Sequence, residues 1–289
     1  MSVYIPRQAT PYLLVLPGML LMVGVLYPFL TGVTWAFSHI GFDGVAHFTG
    51  VANFIDLFQP GNEGLQGLST TLRYAVAAVA IQTVLGLSVA LLLTWKARWT
   101  RVFRTLVIVP MLLPPVVATV MWKVMMVDRG VLDYFVQGLG PQSVNWLGSP
   151  SSAFWSVLMI ETWIYTPFVT LLLLAGLQGI SEEIIEAARV DGAGFFSLLR
   201  HIYLPLLRPY FVLVLVFRGI DSLKSFEVIW TATQGGPLDT LRTLHIYAYQ
   251  FAIQYLDFGR SMTFLLVLWI LTYGLSFLLL KARRQAAVA

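Results

Sequence analysis

The sequence predicts an all-α polytopic membrane protein, and three observations lead to this fold class. Of the 289 residues, 58% are hydrophobic and only 11% are charged, whereas soluble domains carry roughly 25% charged residues. Six apolar segments are each long enough to cross a hydrocarbon core about 30 Å thick as an α-helix. Lys and Arg concentrate in alternate links between these segments. We therefore expect residues 1–289 to form one membrane domain with six transmembrane helices.

The first three predicted spans are Tyr12–Phe37, Leu72–Trp95 and Val102–Val127. The apolar run of the first is too long for the h-region of a signal peptide and has no clear cleavage site, so it is expected to be retained. The first and third spans contain prolines, which kink a helix in lipid without ending it when neighbouring groups satisfy the freed carbonyls. Each segment is therefore interpreted as one kinked or straight span.

The last three predicted spans are Phe154–Leu177, Phe211–Ala232 and Met262–Leu280. The fourth and sixth are continuous apolar runs of membrane-spanning length. The fifth is also of this length, although four charged residues interrupt it. Basic residues follow the sixth span directly, at Lys281, Arg283 and Arg284.

The distribution of Lys and Arg predicts the orientation of the chain. Eleven of the 18 lie in one alternate set of links and four in the other, and the side richer in Lys and Arg is the cytoplasmic one. Both termini are therefore predicted to be cytoplasmic. The eleven are Arg7, Lys96, Arg98, Arg101, Arg104, Arg189, Arg200, Arg208, Lys281, Arg283 and Arg284. Because they are dispersed over short links, the net charge of +4 does not indicate nucleic-acid binding.

One cytoplasmic link, "EEIIEAARVDGAGFFSLLRHIYLP" (Glu182–Pro205, the polar loop), is more polar than the rest of the chain. Ser181 can cap a short helix whose first turn holds acidic residues, and Gly192 is a natural helix end. A second amphipathic segment is predicted from Phe195 to Ile202, ended by Pro205. By itself this pattern also fits an amphipathic loop that lies on lipid headgroups and only joins two spans.

The spacing Glu186-Ala187-Ala188, three residues, Gly192, nine residues, Ile202, one residue, Leu204-Pro205 resembles the EAA motif of permease subunits of binding-protein-dependent ABC importers. Flanking stretches such as "ETWIYTPFVTLLLLAGLQGISEEIIEAARVDGA" and "FRGIDSLKSFEVIWTATQGGP" are similar to permeases for sugars, polyols and glycerol phosphate, related to the maltose-type transporter. The resemblance covers nearly the whole chain. The sequence does not show the extra N-terminal spans and large periplasmic insertion of the larger maltose permease, so contacts made by those parts are not expected here.

The resemblance implies a type I importer fold, with a cytoplasmic coupling loop at about residues 180–209 that contacts a cytoplasmic ATPase. Glu186 would make a charged contact, the alanines would pack closely, and Gly192 would provide the bend. The implied coupling residues are Glu186, Ala187, Ala188, Arg189, Asp191, Gly192, Ile202, Leu204 and Pro205.

The fifth span places Arg218, Asp221, Lys224 and Glu227 three residues apart. At 100° per residue they form a spiral in which successive residues can pair. Two interpretations stay open: a ladder of ion pairs that fixes helix packing, or charged groups that line a translocation path. The candidate path residues are Asp221, Lys224 and Ser225, and the aromatic residues Trp122, Trp163 and Tyr165, which could stack on a sugar ring.

Catalysis and metal binding are not expected of this chain. It has no cysteine and no P-loop motif, and His39, His47, His201 and His245 lie in separate links without ligand spacing. The predicted function is a non-catalytic permease subunit that imports a sugar, polyol or related carbohydrate. An ion- or proton-coupled secondary carrier is the alternative, with the charged fifth span as coupling site. A membrane enzyme would need a catalytic cluster, and none is visible.

The expected partners follow from the resemblance. They are a second homologous permease subunit, two ABC ATPase subunits and an extracytoplasmic substrate-binding protein, with membrane lipid and no nucleic acid. ATP and Mg would be bound by the ATPase partners and no cofactor by this chain. The expected location is the bacterial inner membrane.

Overall fold

The computed structural model describes residues 10–40, 44–95, 100–138 and 144–286. These residues are mostly helical, with one small hairpin among them near the N-terminus. The positively charged Arg7, Lys96 and Arg98, which contribute to the predicted orientation, lie outside the described residues.

The first half of the chain contains a long first helix, the hairpin and a second long helix. The two strands of the hairpin are antiparallel, with Ser38 opposite Phe48 and Ile40 opposite Ala46. The elements are α1 (Thr10–Ala36), β1 (Ser38–Ile40), β2 (Ala46–Phe48), α2 (Ala52–Leu57), α3 (Glu63–Leu93), α4 (Thr100–Leu112), α5 (Pro115–Met125) and α6 (Val131–Gln137).

The second half alternates long helices with short ones. A π turn, Leu199–Tyr203, lies between the ninth and tenth α-helices. The elements are α7 (Pro150–Gln178), α8 (Glu182–Val190), α9 (Phe195–Leu198), α10 (Leu204–Leu206), α11 (Arg208–Leu223), α12 (Glu227–Thr233), α13 (Leu244–Ile253) and α14 (Phe258–Ala286).

Within the described ranges, four helices are long and apolar enough to cross a membrane: Val15–Ala36, Glu63–Leu93, Pro150–Gln178 and Phe258–Lys281. They correspond to the first, second, fourth and sixth predicted spans. Two bent helix pairs also pass the test of length and composition, Val102–Leu112 with Pro115–Met125 and Phe195–Leu206 with Arg208–Leu223. The described residues thus hold four to six candidate spans.

The third predicted span is broken rather than gently kinked. Its halves, α4 and α5, meet at an angle of 98°. Pro114 and Pro115 follow one another at the break, with Pro115 opening α5. Two consecutive residues without a backbone N–H cannot continue the helical ladder, so the chain turns sharply there.

The fifth predicted span, Phe211–Ala232, is not one helix. Helix α11 ends at Leu223, and α12 begins at Glu227 after an interruption. The uniform 100° step assumed for the charged spiral therefore fails after Leu223. Among the described residues, Arg218 and Asp221 form an ion pair (3.5 Å), whereas Lys224 and Glu227 form none.

The described chain comprises two compact units. The smaller one contains Met1–Gly64 and Ala248–Val267, and the larger one contains Leu65–Tyr247 and Leu268–Ala289. In the smaller unit, the Oγ1 of Thr263 donates to the carbonyl of Ala36 (3.1 Å), and Arg260 pairs with Asp56. Helix α1 exposes nearly all of its apolar side chains, as expected of a helix whose solvent is lipid.

Helix α7 is the most buried of the long helices in the larger unit. A Cβ atom added to Gly86 of α3 would lie 2.6 Å from Val169, and one added to Gly176 would lie 2.7 Å from Leu207. Glycine is needed at both positions because the helices approach α7 too closely for a side chain. Buried apolar residues around α7 include Tyr74, Leu158, Ile160, Ile164, Leu173, Leu207 and Ile229.

Candidate functional site: an exposed polar loop and a buried polar network

The first half of the polar loop is a short, well-capped helix, α8. The Oγ of Ser181 accepts a hydrogen bond from the backbone N–H of Glu183 (3.3 Å), as predicted. Glu182 and Glu183 occupy the first turn and Arg189 the last. At each end of the helix the side-chain charge is therefore opposite in sign to the helix dipole and interacts favourably with it. These local interactions stabilise a helix that has little packing of its own.

Helix α8 ends in a Schellman motif centred on Gly192, which adopts a φ of +85°. The N–H of Gly192 donates to the carbonyl of Arg189 (3.0 Å), and the N–H of Ala193 donates to that of Ala188 (2.9 Å). The left-handed conformation costs about 1–2 kcal/mol for a residue with a Cβ atom. The helix end predicted at Gly192 is therefore confirmed, and its left-handed conformation favours glycine.

None of the side chains of α8 is buried. Glu186, Ala187 and Arg189 are exposed, and Ala188 is half-buried. Neither Glu186 nor Arg189 makes an ion pair or side-chain hydrogen bond with another described residue. Polar, unpaired side chains beside two small alanines form a surface that another protein can approach closely.

The second half of the polar loop departs from its prediction. Pro205 does not end the helical segment but lies inside it, in α10, directly after the π turn. In the π turn the N–H of Leu204 donates to the carbonyl of Leu199, five residues earlier. The wider turn accommodates the ring and missing N–H of Pro205, so the helical path continues to Leu206. Ile202, Leu204 and Pro205 are half-buried.

An open groove of about 850 Å³ lies beside α8. Its lining residues include Arg104, Leu177 and Tyr203 as well as Glu186 and Arg189 of α8. Helix α8 is therefore separated from α4 and α7 by open space along this groove.

A buried polar network lies in the larger unit, formed by Tyr74, Gln82, Glu161, Arg218, Ser222 and Ser225. At its centre the Nη2 of Arg218 lies 3.1 Å from the Oε1 of Glu161, and each side chain is 1% exposed. The Nε of Arg218 donates to the Oε1 of Gln82 (2.8 Å). A buried ion pair needs such additional hydrogen bonds to offset the desolvation of both charges.

The carboxylate of Glu161 is also fully engaged on its second oxygen. Its Oε2 accepts hydrogen bonds from the Oγ of Ser225 (2.7 Å) and from the hydroxyl of Tyr74. Ser225 lies in the interruption between α11 and α12. The network thus links α3, α7 and α11 to the point at which the fifth predicted span breaks.

Three of the predicted path residues lie in or beside this network. Asp221 pairs with Arg218 and keeps 57% of its side chain exposed. Ser225 bonds Glu161, and the ring of Tyr165 lies 4.0 Å below the guanidinium carbon of Arg218. Lys224 points elsewhere: its side chain is exposed, and its carbonyl oxygen lies 3.0 Å from the Nδ1 of His245.

The other two predicted aromatic residues contact each other. The rings of Trp122 and Trp163 meet edge to face, with centroids 5.6 Å apart. The Nε1 of Trp122 and the Nε2 of Gln82 are buried and have no hydrogen-bond partner among the described residues. Buried polar atoms without partners are uncommon, so each of these N–H groups is a donor left available to a polar molecule that reaches it.

Tyr74, Gln82 and Glu161 escape prediction from the sequence, although they hold Arg218 in place. The available signal is that Glu161 and Gln82 are polar residues within otherwise apolar spans, where such groups face the protein interior. Their pairing could not be deduced because the partners lie 57 to 136 positions apart along the chain.

A structural polar contact holds the link after α5. The buried carboxylate of Asp133 accepts hydrogen bonds from the backbone N–H of Arg129 (3.1 Å) and the indole Nε1 of Trp146 (3.0 Å). The N–H of Arg129 and these other donors hold the pKa of Asp133 below its ordinary value. These hydrogen bonds to Asp133 fix the conformation of the link.

No group of three or more His, Asp or Glu side chains suited to a metal ion occurs in the described part of the chain. The described residues therefore hold no metal site in which this chain alone supplies three or more side-chain ligands.

Comparison with known proteins identifies what the chain is similar to. The profile of the family described as "Binding-protein-dependent transport system inner membrane component" matches residues 82–285. This range contains the polar loop and all of the buried network except Tyr74. A trehalose/maltose transport system permease protein of Thermococcus litoralis is 32% identical over 277 residues, covering 94% of this chain and 93% of the relative.

A glycerol-3-phosphate transport system permease protein of Yersinia enterocolitica is 32% identical over 275 residues, which cover 92% of this chain and 91% of the relative. Among solved structures, a chain of a bacterial ABC transporter for alginate import has the same fold, with a TM-score of 0.82 over 96% of each chain at 21% identity. A chain of the MetNI methionine ABC transporter aligns with a TM-score of 0.55 over 77% of this chain and 95% of the other, at 20% identity.

Proposed function

The chain belongs to the family of binding-protein-dependent transport system inner membrane components, and we propose that it forms half of the translocation path for a sugar, polyol or related carbohydrate in an ATP-driven importer. The relatives named for trehalose or maltose and for glycerol 3-phosphate support this substrate class. The family supports the importer over an ion-coupled carrier. Within the importer this subunit would have no catalytic role, since ATP and Mg would be bound by its partners.

The observation that carries the coupling role is the exposure of α8. A helix with no buried side chain gains little from its own protein, so a partner must supply the contacts that such a surface can make. Glu186 would provide a charged contact and Ala187 a close approach. The Schellman bend at Gly192 would pass the motion of α8 on to the π turn and α11. The partner is a cytoplasmic ATPase subunit.

The proposed topology has six spans, with Val102–Leu112 and Pro115–Met125 together as the third and the Phe211–Ala232 segment as the fifth, and with both termini in the cytoplasm. The bias of Lys and Arg supports this orientation, and the several apolar helices make the chain an integral membrane protein. The proposed location is the inner membrane of a bacterial cell.

The proposed assembly also contains a second homologous permease, two ABC ATPase subunits and an extracytoplasmic binding protein. Support for the binding protein comes from a solved alginate ABC transporter in complex with an alginate-bound periplasmic protein. A chain of that complex aligns with this chain at a TM-score of 0.80.

The proposed translocation path runs past the buried polar network. Asp221 and Ser225 beside Tyr165, and the orphaned Trp122 Nε1 beside Trp163, would offer hydrogen bonds and aromatic faces to a hydroxylated substrate. Lys224 is exposed at the end of α11 and would act only at the edge of the path.

Co-purification from the native membrane tests the coupling role. The wild-type chain, Glu186→Arg and Asp128→Arg would each be isolated under gentle conditions, with partners identified by mass spectrometry. Asp128 is an exposed acid on a link predicted to face the other side. We expect the wild type and Asp128→Arg to retain an ATPase subunit and Glu186→Arg to lose it while retaining the second permease. Absence of an ATPase from the wild-type sample would contradict the proposal.

A further inference from the structure

The hairpin of the smaller unit places two histidines directly opposite each other. His39 is the middle residue of β1 and His47 the middle residue of β2, and the strand register pairs them. Residues that face each other across an antiparallel pair project from the same side of the sheet. Both histidines are exposed. The spacing of the two histidines along the sequence does not by itself place them opposite each other; the register of the hairpin does.

The spacing of the two strands at this pair follows from the hydrogen bonds. The N–H of Thr49 donates to the carbonyl of Phe37 (2.9 Å), so Phe37 and Thr49 form a hydrogen-bonded pair. Such pairs recur at every second position of an antiparallel ladder. His39 and His47 are therefore the next hydrogen-bonded pair, with Cα atoms about 5.5 Å apart. Two imidazoles at this separation can converge on one ion at about 2.0–2.1 Å from each nitrogen.

Strand β1 is held firmly at its base. The Nδ2 of Asn53 donates to the carbonyls of Ser38 (2.9 Å) and Ala36 (3.1 Å). The Oγ of Ser38 is buried and donates to the carbonyl of Thr34 (2.9 Å), and the ring of Phe37 packs on Phe54 at 5.1 Å. The position of His39 is thereby fixed before any ligand arrives, which lowers the entropic cost of binding.

We propose that His39 and His47 form a site for one divalent transition-metal ion of the Cu²⁺, Ni²⁺ or Zn²⁺ class. Imidazole nitrogens suit these ions, whereas Mg²⁺ and Ca²⁺ require oxygen ligands. Two side-chain ligands leave the remaining coordination positions to water or to a group from another molecule. The bound ion would join the two strands. This inference is independent of the transport function and modifies the expectation of no metal site, which considered spacing along the chain alone.

Copper binding by the full-length protein tests this site. The protein would carry a purification tag without histidine, be stripped with a chelator in detergent, and be titrated with Cu²⁺ at about pH 8, where imidazole is neutral. The bound ion would be counted by elemental analysis, and its nitrogen ligands by electron paramagnetic resonance. We expect one tightly bound Cu²⁺ with two imidazole nitrogens, and Ni²⁺ and Zn²⁺ competing for it, while Mg²⁺ does not.

Asparagine variants assign the ligands. His39→Asn and His47→Asn should each weaken Cu²⁺ binding by about a hundredfold, because each leaves a single ligand without the effective concentration of the second. His201→Asn, at an exposed histidine outside the smaller unit, should retain the wild-type affinity. Unchanged binding by either hairpin variant overturns the proposal, as does loss of binding in His201→Asn.

A double variant tests the register without a metal. The chain has no cysteine, so His39→Cys combined with His47→Cys supplies one pair of thiols. At a hydrogen-bonded pair the Cβ atoms lie farther apart than the roughly 3.5–4.5 Å of a disulfide, so a short bifunctional thiol reagent is used to join them. We expect rapid intramolecular cross-linking, read as loss of two alkylation sites. If the cysteines are not cross-linked, the register and the site are wrong. If they are cross-linked but the wild type binds no Cu²⁺, the pairing is right and the metal site is refuted.

Discussion

At the scale of single residues, Arg218 illustrates what one sequence can and cannot reveal. Its position inside an apolar segment predicts a buried or water-lined charge, and the structure buries it. The sequence also predicts its pairing with Asp221, one turn away. It does not predict the stronger contacts with Glu161 and Gln82, because pairing between spans depends on helix rotation and depth. These are set by packing of all the side chains together.

Breaking the central ion pair should destabilise the larger unit strongly. Glu161→Gln leaves the charge of Arg218 buried without its counter-ion, which typically costs about 3–5 kcal/mol. We expect a clear fall in the thermal unfolding midpoint in detergent, measured by tryptophan fluorescence. Glu227→Gln is the matched control, because Glu227 is exposed and unpaired among the described residues.

A double variant distinguishes the cost of leaving one buried charge unpaired from the cost of losing the ion pair as a whole. Arg218→Met combined with Glu161→Leu removes both charges and keeps the volume, so much of the stability should return relative to Glu161→Gln. A single variant as stable as the wild type would mean that the ion pair does not contribute to holding these helices together.

At the scale of elements, the sequence predicts α8 well because its signals are local. The Ser181 cap, the acidic first turn and Gly192 act within a few residues of each other. Prediction fails where two local effects compete, as at Pro205. A proline was expected to end the helix, but the π turn before it allows the helix to continue. The interruption between α11 and α12 escapes prediction because apolar composition extends through it.

Substitution of Gly192 should damage the end of α8 specifically. Gly192→Val places a β-branched residue at a φ of +85°, although no atom lies within 4 Å of the added Cβ, so the penalty is conformational, about 1–2 kcal/mol. We expect faster hydrogen exchange of the amides from Arg189 to Ala193 and weaker retention of the ATPase.

Gly194→Val is the control for this change. Gly194 also has open space around its Cβ position, but its φ of −76° suits any residue. Equal effects of the two substitutions on exchange would show that the left-handed turn at Gly192 is not what fixes the end of α8.

At the scale of the whole molecule, apolar exposure accounts for the fold class. Side chains such as Leu21, Val25 and Tyr27 of α1 are 69–73% exposed, which is favourable in an apolar environment such as lipid and not in water. Length and composition predict six spanning segments, and four of these segments are single long helices in the described residues. The two that bend show the limit of this reasoning, because hydropathy records how apolar a segment is but not whether its backbone is continuous.

The proposed orientation can be measured with single cysteines, since the chain has none of its own. Ser197 and Gln137 are exposed residues on links predicted to lie on opposite sides. We expect Gln137→Cys to react with a membrane-impermeant maleimide in cells whose outer membrane or cell wall has been permeabilised. Ser197→Cys should react only after the inner membrane is opened. The reverse pattern would invert the topology and remove the polar loop from the side of the ATPase.

The pairing of Arg218 with Glu161 also bears on how the protein is made. A charged residue at the centre of a helix raises the free energy of membrane insertion by about 2.5–3.5 kcal/mol, so the segment carrying both Arg218 and Asp221 is a poor substrate for independent entry into lipid. During translation, α7 emerges first and brings Glu161. We therefore expect the fifth segment to leave the translocon together with α7. The order of synthesis then makes the carboxylate of Glu161 available before Arg218 enters the lipid.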